Sequence, residues 1–337
     1  MIMQKCISLN SKKEWDEALK GINHSFAFTF ENCQAMSLTT GFNTFLYCYE
    51  KEDVKIVCPL SERSYNGYSD IVTPYGFSGF AGNKGCKDFP LHWSEFVKEK
   101  NYVCGYISMN PLFQNDSYFN ESDAFSNTNL YYIDLTQSLT ELFEGLDTNR
   151  KKIIVNYKKH ESKFIYDKKI LTEFFLNNYE SFLKRISASK ANYFSRKTLE
   201  YICGLENIFM VGAGKSDPDS GSDTKTEAVY IFASTDYAAD CLFNVATPEG
   251  REFSPLLLWC GIRHFKKKKL PVICLGGGLK EDDSVALSKE RFGGYKLPFF
   301  NLKQIYHLDV YKKLCKEKNI PDDEILSKDG YFPAYRK

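Results

Sequence analysis

The stretch LGGGLKEDDSVALSKERFGGYKLPFF, Leu275–Phe300, sets three consecutive glycines directly after a short apolar run and follows them with a charged segment ending in Lys-Glu-Arg-Phe-Gly. Each glycine adds an entropy cost on folding, so three in a row have little to gain structurally. A tight strand-to-helix turn explains one or two of them, and close approach of another backbone or of a ligand explains the rest. Upstream lie PVICL, read as a strand, and a helix at about 253–267. Before these come three strand-like runs, NIFMVGA, EAVYIFAST and ADCLFNVAT. Three antiparallel strands, a helix, a strand, a helix and further strands make a mixed α/β plan.

The earlier half of the chain has elements of the same kinds. Ser11 and Glu14 have the capping-box spacing before a short helix that ends near Gly21. NTFLYCYE and VKIVCPL, separated by KED, read as a hairpin at 44–60. SDIVTPYGFSGF reads as a short strand and a loop, a helix follows at 89–100, and YVCGYISM is a strand. The polar stretch Asn115–Asn129 has no periodicity and reads as an exposed loop, after which YYIDL resumes as a strand. Ser138 and Glu141 repeat the capping-box spacing. The basic run NRKKIIVNYKKH reads as a helix leading to a strand at 163–166. A longer helix at 169–187 has Ile170, Phe174, Phe175, Tyr179, Phe182 and Ile186 on one face, and Ser195 opens another.

A chain of 337 residues has room for two domains. Lys and Arg number 44 against 43 Asp and Glu, so no global attraction to polyanions exists, and any nucleic-acid surface must be local. The 11 cysteines are scattered singly, often in apolar runs, which reads as reduced thiols in a reducing compartment. No apolar run approaches the roughly 20 residues of a spanning helix, and the first residues have no secretory pattern. A soluble, cytoplasmic protein without a membrane span is expected.

Several motifs have plain readings. GAGKS, Gly212–Ser216, lacks the first glycine of a P-loop, because Phe209 stands there, and it reads as a hairpin tip. The loop from 214 to 226 reads as flexible surface. HFKKKK, His264–Lys269, places cations where they offset the carbonyl end of a helix. The five histidines have no metal-ligand spacing, and no metal site is expected. TPEGREFSP, Thr247–Pro255, precedes a helix, and such ends attract anions, although capping by Thr247 or Ser254 needs no ligand.

Taken in order, SDIVTPYGFSGF, HWSEFVKEKNYVCGYISMNPLF, YYIDLTQSLTELFEGLDTNRKKI, LKRISASKANYF and LGGGLKEDDSVALSKERFGG resemble the FemAB-like branch of the GNAT acyltransferase superfamily, over about Ser69–Gly294. The resemblance implies an α/β fold of two tandem GNAT-like domains, with mixed, mostly antiparallel sheets flanked by helices and a cleft between them. The domains are expected at 1–145 and 146–318, with a tail of 319–337 packing back on the first. It implies transfer of an acyl group, acetyl above all, from acyl-CoA to an amine of a cell-envelope sugar or peptide precursor. Aminoacyl-tRNA is the alternative donor, and a catalytically silent module that binds a nucleotide-sugar or RNA is the rival reading.

The resemblance also distributes roles. In the family a lysine of a Phe-Lys pair lies near the transferring group. Here the pair is Ser288-Lys289, which makes Lys289 the candidate catalytic cation. Gly276, Gly277, Gly278, Arg291, Thr247 and Gly250 are the candidates for donor binding, and Asp70, Tyr75, Arg150 and Tyr193 for acceptor binding. Relatives tend to have Arg and His where this chain has Ser108, Met109 and Asn110, and many have a histidine near the place of Asn244. No glycine-rich CoA loop of the Q-x-x-G-x-G type precedes the helix at 253.

Overall fold

The structure is a computed structural model that describes residues 2–161, 163–216, 224–278, 283–327 and 329–337. The chain divides into two compact units, residues 1–127 with 298–337, and residues 128–297. The step therefore falls earlier than the expected 145/146, and the first unit takes everything from Pro298 onward.

In the first unit β1 (Ile2–Ser8), α1 (Lys12–Leu19) and α2 (Phe30–Thr40) lead into β2 (Asn43–Lys51), β3 (Val54–Tyr65), β4 (Tyr68–Val72) and β5 (Ala81–Gly82), then α3 (Phe89–Glu99) and β6 (Tyr102–Ser108). Side chains of a strand alternate between its faces, and β2 sorts accordingly. Tyr47 and Tyr49 pack with Phe89, Trp93 and Phe96 of α3 on one face, whereas Leu46 and Cys48 pack with Trp15 and Leu19 of α1 on the other. The Trp15 indole N–H donates to the Phe28 carbonyl at 3.0 Å. Asn66 and Gly67 turn β3 into β4 with φ of 47° and 81°, the mirror-image turn whose twist suits a hairpin. Ser11 makes no side-chain cap, so the expected box at α1 does not form.

The second unit opens within β7 (Ala124–Asp134). That strand begins inside the stretch expected to be a loop, and its register with β12 covers Leu130–Asp134. There follow α4 (Leu139–Glu144), α5 (Thr148–Ile154), α6 (Tyr157–Glu161), β8 (Phe164–Ile165), α7 (Lys168–Arg185) and α8 (Arg196–Gly204). Next come β9 (Ile208–Ser216), β10 (Thr224–Ser234), β11 (Ala239–Ala246), α9 (Ser254–Lys267), β12 (Val272–Gly277) and α10 (Ser284–Glu290).

Ser138 and Glu141 make the full capping box of α4. The single basic helix expected at 147–160 is two helices, α5 and α6. The buried stripe of α7 is Leu171, Phe175, Tyr179 and Leu183, a regular i, i+4 series, while Ile170 and Ile186 of the expected face are about half exposed. α9 is apolar nearly all round and is buried with α4, α5 and α6 on one face of the sheet. Phe175 and Tyr179 of α7 meet Phe243 of β11 at 5.2 and 5.8 Å between ring centroids. GAGKS lies inside β9, paired with β10, and the loop expected to be flexible lies largely at 217–223, outside the described residues.

The chain then returns to the first unit through β13 (Tyr295–Ile305), α11 (Leu308–Glu317) and α12 (Asp322–Ile325). β13 pairs with β6, and Tyr311, Leu314 and Tyr335 pack against Val103 and Cys104 of β6. Among the described residues, the strand pairs within each unit are antiparallel except for β4 with β6 in the first and β11 with β12 in the second. The 11 cysteines are free thiols, most of them buried. Among the described residues no helix is long and apolar enough to cross a membrane.

Candidate active site

The two parallel pairs differ in how far they close. In the first unit the pairing runs from Ser69↔Tyr102 to Val72↔Tyr106. It continues as Thr73 N–H donates to the Tyr106 carbonyl at 3.1 Å and Ser108 N–H to Thr73 Oγ1 at 3.0 Å, with a bridge between Ser78 and Met109. In the second unit the ladder between β11 and β12 has only two rungs, Ala239↔Ile273 and Asp240↔Cys274. Both strands bulge just beyond it. Leu242 is surplus against β10, and Leu275 is surplus against β7. Bulges bend a strand and redirect its next residues, so β11 and β12 part beyond these rungs. The result is a wedge at the carboxyl ends of a parallel pair, the position where open α/β sheets place ligands.

Lys289 reaches into the mouth of that wedge. The Asp283 carboxylate accepts from Val285 N–H and Ala286 N–H at 2.9 and 2.7 Å, which fixes the start of α10. Near the other end of this seven-residue helix, Lys289 donates from Nζ to the Gly277 carbonyl. Gly276 has φ of +78°, and a Cβ there would stand 3.1 Å from Lys289 Nζ. Glycine is needed at 276 for this conformation, and at 277 because a Cβ would lie 2.9 Å from the Asn129 carbonyl of β7. Gly278 accepts from Thr128 Oγ1 at 3.4 Å. Burial lowers the Lys289 pKa below the ordinary lysine value, while Cys274, Cys241 and Asp283 act in the opposite sense.

Arg150 completes the cluster. Asp147 caps α5 by accepting from Arg150 N–H at 2.6 Å. The guanidinium donates to Ser288 Oγ at 3.0 Å and lies 5.2 Å from the Phe292 ring, and its Nε is buried without a partner. Burial lowers the Arg150 pKa as well. Arg291 pairs with Asp147 at 3.5 Å and so joins the end of α10 to the start of α5. Tyr230 and Asn244 stand opposite each other on β10 and β11, with Asn244 Oδ1 buried and unpaired.

The structure thus brings together Lys289, Gly276, Gly277, Gly278, Arg150 and Arg291. The other expected site residues lie elsewhere. Thr247 N–H donates to the Glu227 carbonyl at 2.8 Å, and Thr247 Oγ1 accepts from Gly250 N–H at 3.0 Å. A Cβ on Gly250 would stand 2.1 Å from the Glu227 carbonyl. This turn is therefore packed onto β10 by its own backbone contacts. Asp70 is 1% exposed, and its carboxylate is held by Arg63, Tyr335 and Arg336 at 2.6 to 2.7 Å. It is a buried centre that holds the C-terminal residues, whereas it was expected among the acceptor-binding residues. Tyr75 is 49% exposed in the first unit and gives its carbonyl to Asn32 Nδ2 at 3.2 Å. Tyr193 is half-buried in the turn between α7 and α8.

The contact of Ser288 with Arg150, the pairing of Tyr230 with Asn244 and the two thiols beside Lys289 were not read from the sequence. Each depends on register between distant segments, and none has a local signature.

A further feature of the second unit is a cavity of about 710 Å³ beside the start of α9, lined by residues of α5, α6, the end of β9 and the turn before α9. Arg150 lines it and also touches Ser288.

No family model matches the chain, and no curated protein matches it in sequence. Among solved structures it is similar to FemX, with a TM-score of 0.68 and 10% identity over 92% of this chain and 99% of that one. It is also similar to the C-terminal DUF2156 domain of a lysylphosphatidylglycerol synthetase candidate from Agrobacterium fabrum, with a TM-score of 0.58, 11% identity and coverage of 91% and 96%. L-PGS from Bacillus licheniformis gives a TM-score of 0.55 at 9% identity, with coverage of 90% and 96%. In fold the protein is similar to FemX and to the lysylphosphatidylglycerol synthetase domain. It consists of two units, each a mostly antiparallel sheet flanked by helices.

Proposed function

We propose that the protein is an N-acyltransferase that carries out its chemistry in the wedge between β11 and β12. The observation that carries this reading is the Lys289 ammonium, held by the Gly277 carbonyl at the point where the parallel ladder stops. In the proposed reaction the acceptor nitrogen attacks the carbonyl carbon of an activated acyl group, and the C=O electron pair moves onto oxygen. The ammonium stabilises that negative charge in a site shielded from water, where charge–charge attraction is strongest. Collapse of the intermediate forms the amide bond and breaks the bond to the leaving sulfur or oxygen. The leaving atom takes up a proton as the acceptor nitrogen gives one up. A lysine held below its ordinary pKa is suited to passing that proton.

For the donor we take acyl-CoA, with acetyl the first group to try, and for the acceptor an amine of a cell-envelope sugar or peptide precursor in the cytoplasm. Aminoacyl-tRNA is the second reading, favoured by the cationic cavity beside Arg150. Replacing Lys289 by Ala tests the reaction in either case. With acetyl-CoA or charged tRNA and a panel of amino-sugar and peptide amines, kcat should fall by about 100-fold or more with little change in KM. Turnover equal to that of the unsubstituted protein would refute the role. Absence of turnover in both would favour the silent binding module.

A further inference from the structure

Apolar packing does little to hold α10 in place. Of its seven residues only Ala286 is buried, whereas Val285 and Leu287 are 48% and 39% exposed. A helix of two turns is marginal by itself in water, and one methyl group in the core contributes little to its attachment. Polar contacts to the neighbouring helix α5 therefore have the larger share in placing α10, and with it Lys289.

These contacts meet the start of α5. Arg150 Nη2 donates to Ser288 Oγ at 3.0 Å. Asp147 N–H donates to the Arg291 carbonyl at 3.0 Å, and its carboxylate pairs with the Arg291 guanidinium at 3.5 Å. Gly293, with φ of +73°, leaves no room for a Cβ beside the Gly145 carbonyl, so the chain that leaves α10 runs against the chain that enters α5. Ser288 directly precedes Lys289, whose ammonium donates to the Gly277 carbonyl at the wedge.

Arg150 is kept here against the interest of the fold. Its Nε is buried without a partner, and burial lowers its pKa. A buried donor left unsatisfied destabilises, and a neutral side chain over the Phe292 ring would avoid that loss. What the guanidinium adds is a charge-assisted hydrogen bond to Ser288, stronger than a neutral pair would make and fixed in direction by the planar fork. Groups that weaken a fold persist where function needs them.

We propose that Arg150 is a positioning residue: through Ser288 it clamps α10 to α5 and so keeps the Lys289 ammonium in the wedge. It acts without touching either substrate. A misplacement of about 1 Å in a site costs about 100-fold in rate, which is the quantity that such a clamp controls. The catalytic meaning of the clamp rests on the acyltransferase reading, whereas the clamp itself does not.

Accessibility of the Lys289 amine tests the clamp without turnover. Brief reductive methylation of the folded protein, followed by peptide mass spectrometry, gives a labelling rate for each lysine. The variants are Arg150→Gln and Ser288→Ala, which remove opposite partners of one hydrogen bond, together with Ser288→Thr, which keeps the hydroxyl. Lys303 of the first unit, whose amine donates to the Gly330 carbonyl at 3.0 Å, is the internal control. Lys289 should be labelled about fivefold or more faster in Arg150→Gln and in Ser288→Ala, and at the parent rate in Ser288→Thr, while Lys303 is unchanged in all three. Acyl transfer by the same proteins should show kcat down about tenfold in the first two variants, with KM little changed. The alkaline limb of kcat should move to higher pH in both, because a lysine released from burial regains affinity for its proton. The proposal is overturned if Lys289 is labelled no faster in Ser288→Ala than in the parent, or if kcat is unchanged although Lys289 has become accessible. It is also overturned if Lys303 gains as much as Lys289, which would mean general loosening. Should Arg150→Gln fail to fold, Ser288→Ala decides by itself. Faster labelling of Lys289 in proteins that all lack turnover, the parent included, would uphold the clamp and refute the acyltransferase reading, so the two are told apart.

Discussion

The role proposed for Lys289 sets stability against chemistry. Its ammonium is buried against Gly276 and Gly277, and burial, the largest influence, pulls its pKa below the ordinary 10.5. A group whose proton is held less tightly in the folded chain than in the unfolded chain destabilises the fold wherever both forms are protonated. Removing the charge while keeping the chain length should therefore stabilise. Lys289→Met should raise the unfolding free energy at pH 7 by about 0.5–2 kcal/mol while abolishing turnover, the usual opposition between stability and activity at a site. The gain should shrink as pH rises toward 10.5, where the unfolded lysine of the parent also loses its proton. Chemical denaturation of both proteins across that range is the measurement, and a less stable Lys289→Met at pH 7 would show that the ammonium is well satisfied where it lies. Arg150 differs because it is braced by Ser288, Phe292 and the Asp147 cap, so its position is set from three sides.

At the scale of elements, α9 is the helix on which the second core is built, and it includes a titratable weak point. His264 stacks on Phe209 with ring centroids 3.7 Å apart. Burial, helped by Lys268 and Lys267, pulls its pKa down from 6.5 to about 4. The folded chain resists protonation that the unfolded chain accepts, so the stabilising contribution is complete above pH 6.5 and is lost as pH falls toward 4. His264→Phe keeps an aromatic ring against Phe209 and removes the titration. Its Tm should fall less than that of the parent between pH 6.5 and 4, by an amount worth on the order of 1–2 kcal/mol after solvent screening. Parallel Tm curves would assign the acid sensitivity to other groups.

Elements also show what a sequence can reveal. The hairpin at 44–60, α3, α9 and the capping box of α4 were legible because each has a local cause: a turn, a periodic apolar face or an adjacent hydroxyl and carboxylate. The start of β7 was not, since its polar residues have no alternating apolar pattern to mark a strand. The α7 stripe was displaced because Leu171 and Leu183, rather than Ile170 and Ile186, meet the sheet. Lys289 and the glycines were singled out through a resemblance, and the structure sets the Lys289 ammonium against the Gly277 carbonyl. The stop in the β11–β12 ladder and the grouping of cations around the cavity arise from register and from helix placement, which leave no mark in a short window of residues.

For the whole molecule, identities of about 10% to solved structures of the same fold mean that few individual side chains are shared, while the strand plan persists. The first unit depends on a particular contact that no strand plan specifies. Asp70 gathers Arg63, Arg336 and the Tyr335 hydroxyl around one buried carboxylate, and the last residues of the chain are thereby fastened to β4. Removing one member of a buried ionic group leaves the others uncompensated and costs about 3–5 kcal/mol. Asp70→Ala should lose stability on that scale in urea unfolding. A loss below about 1 kcal/mol would mean that water replaces the carboxylate and that the last residues contribute little.

The discontinuous make-up of the first unit bears on how the protein is born. Residues 128–297 form an uninterrupted segment, whereas residues 1–127 lack β13, α11 and two partners of Asp70, Tyr335 and Arg336, until the last residues have been made. On the ribosome the middle of the polypeptide can therefore reach its final form while the beginning still waits, a reversal of the usual N-terminal-first order of synthesis-coupled folding.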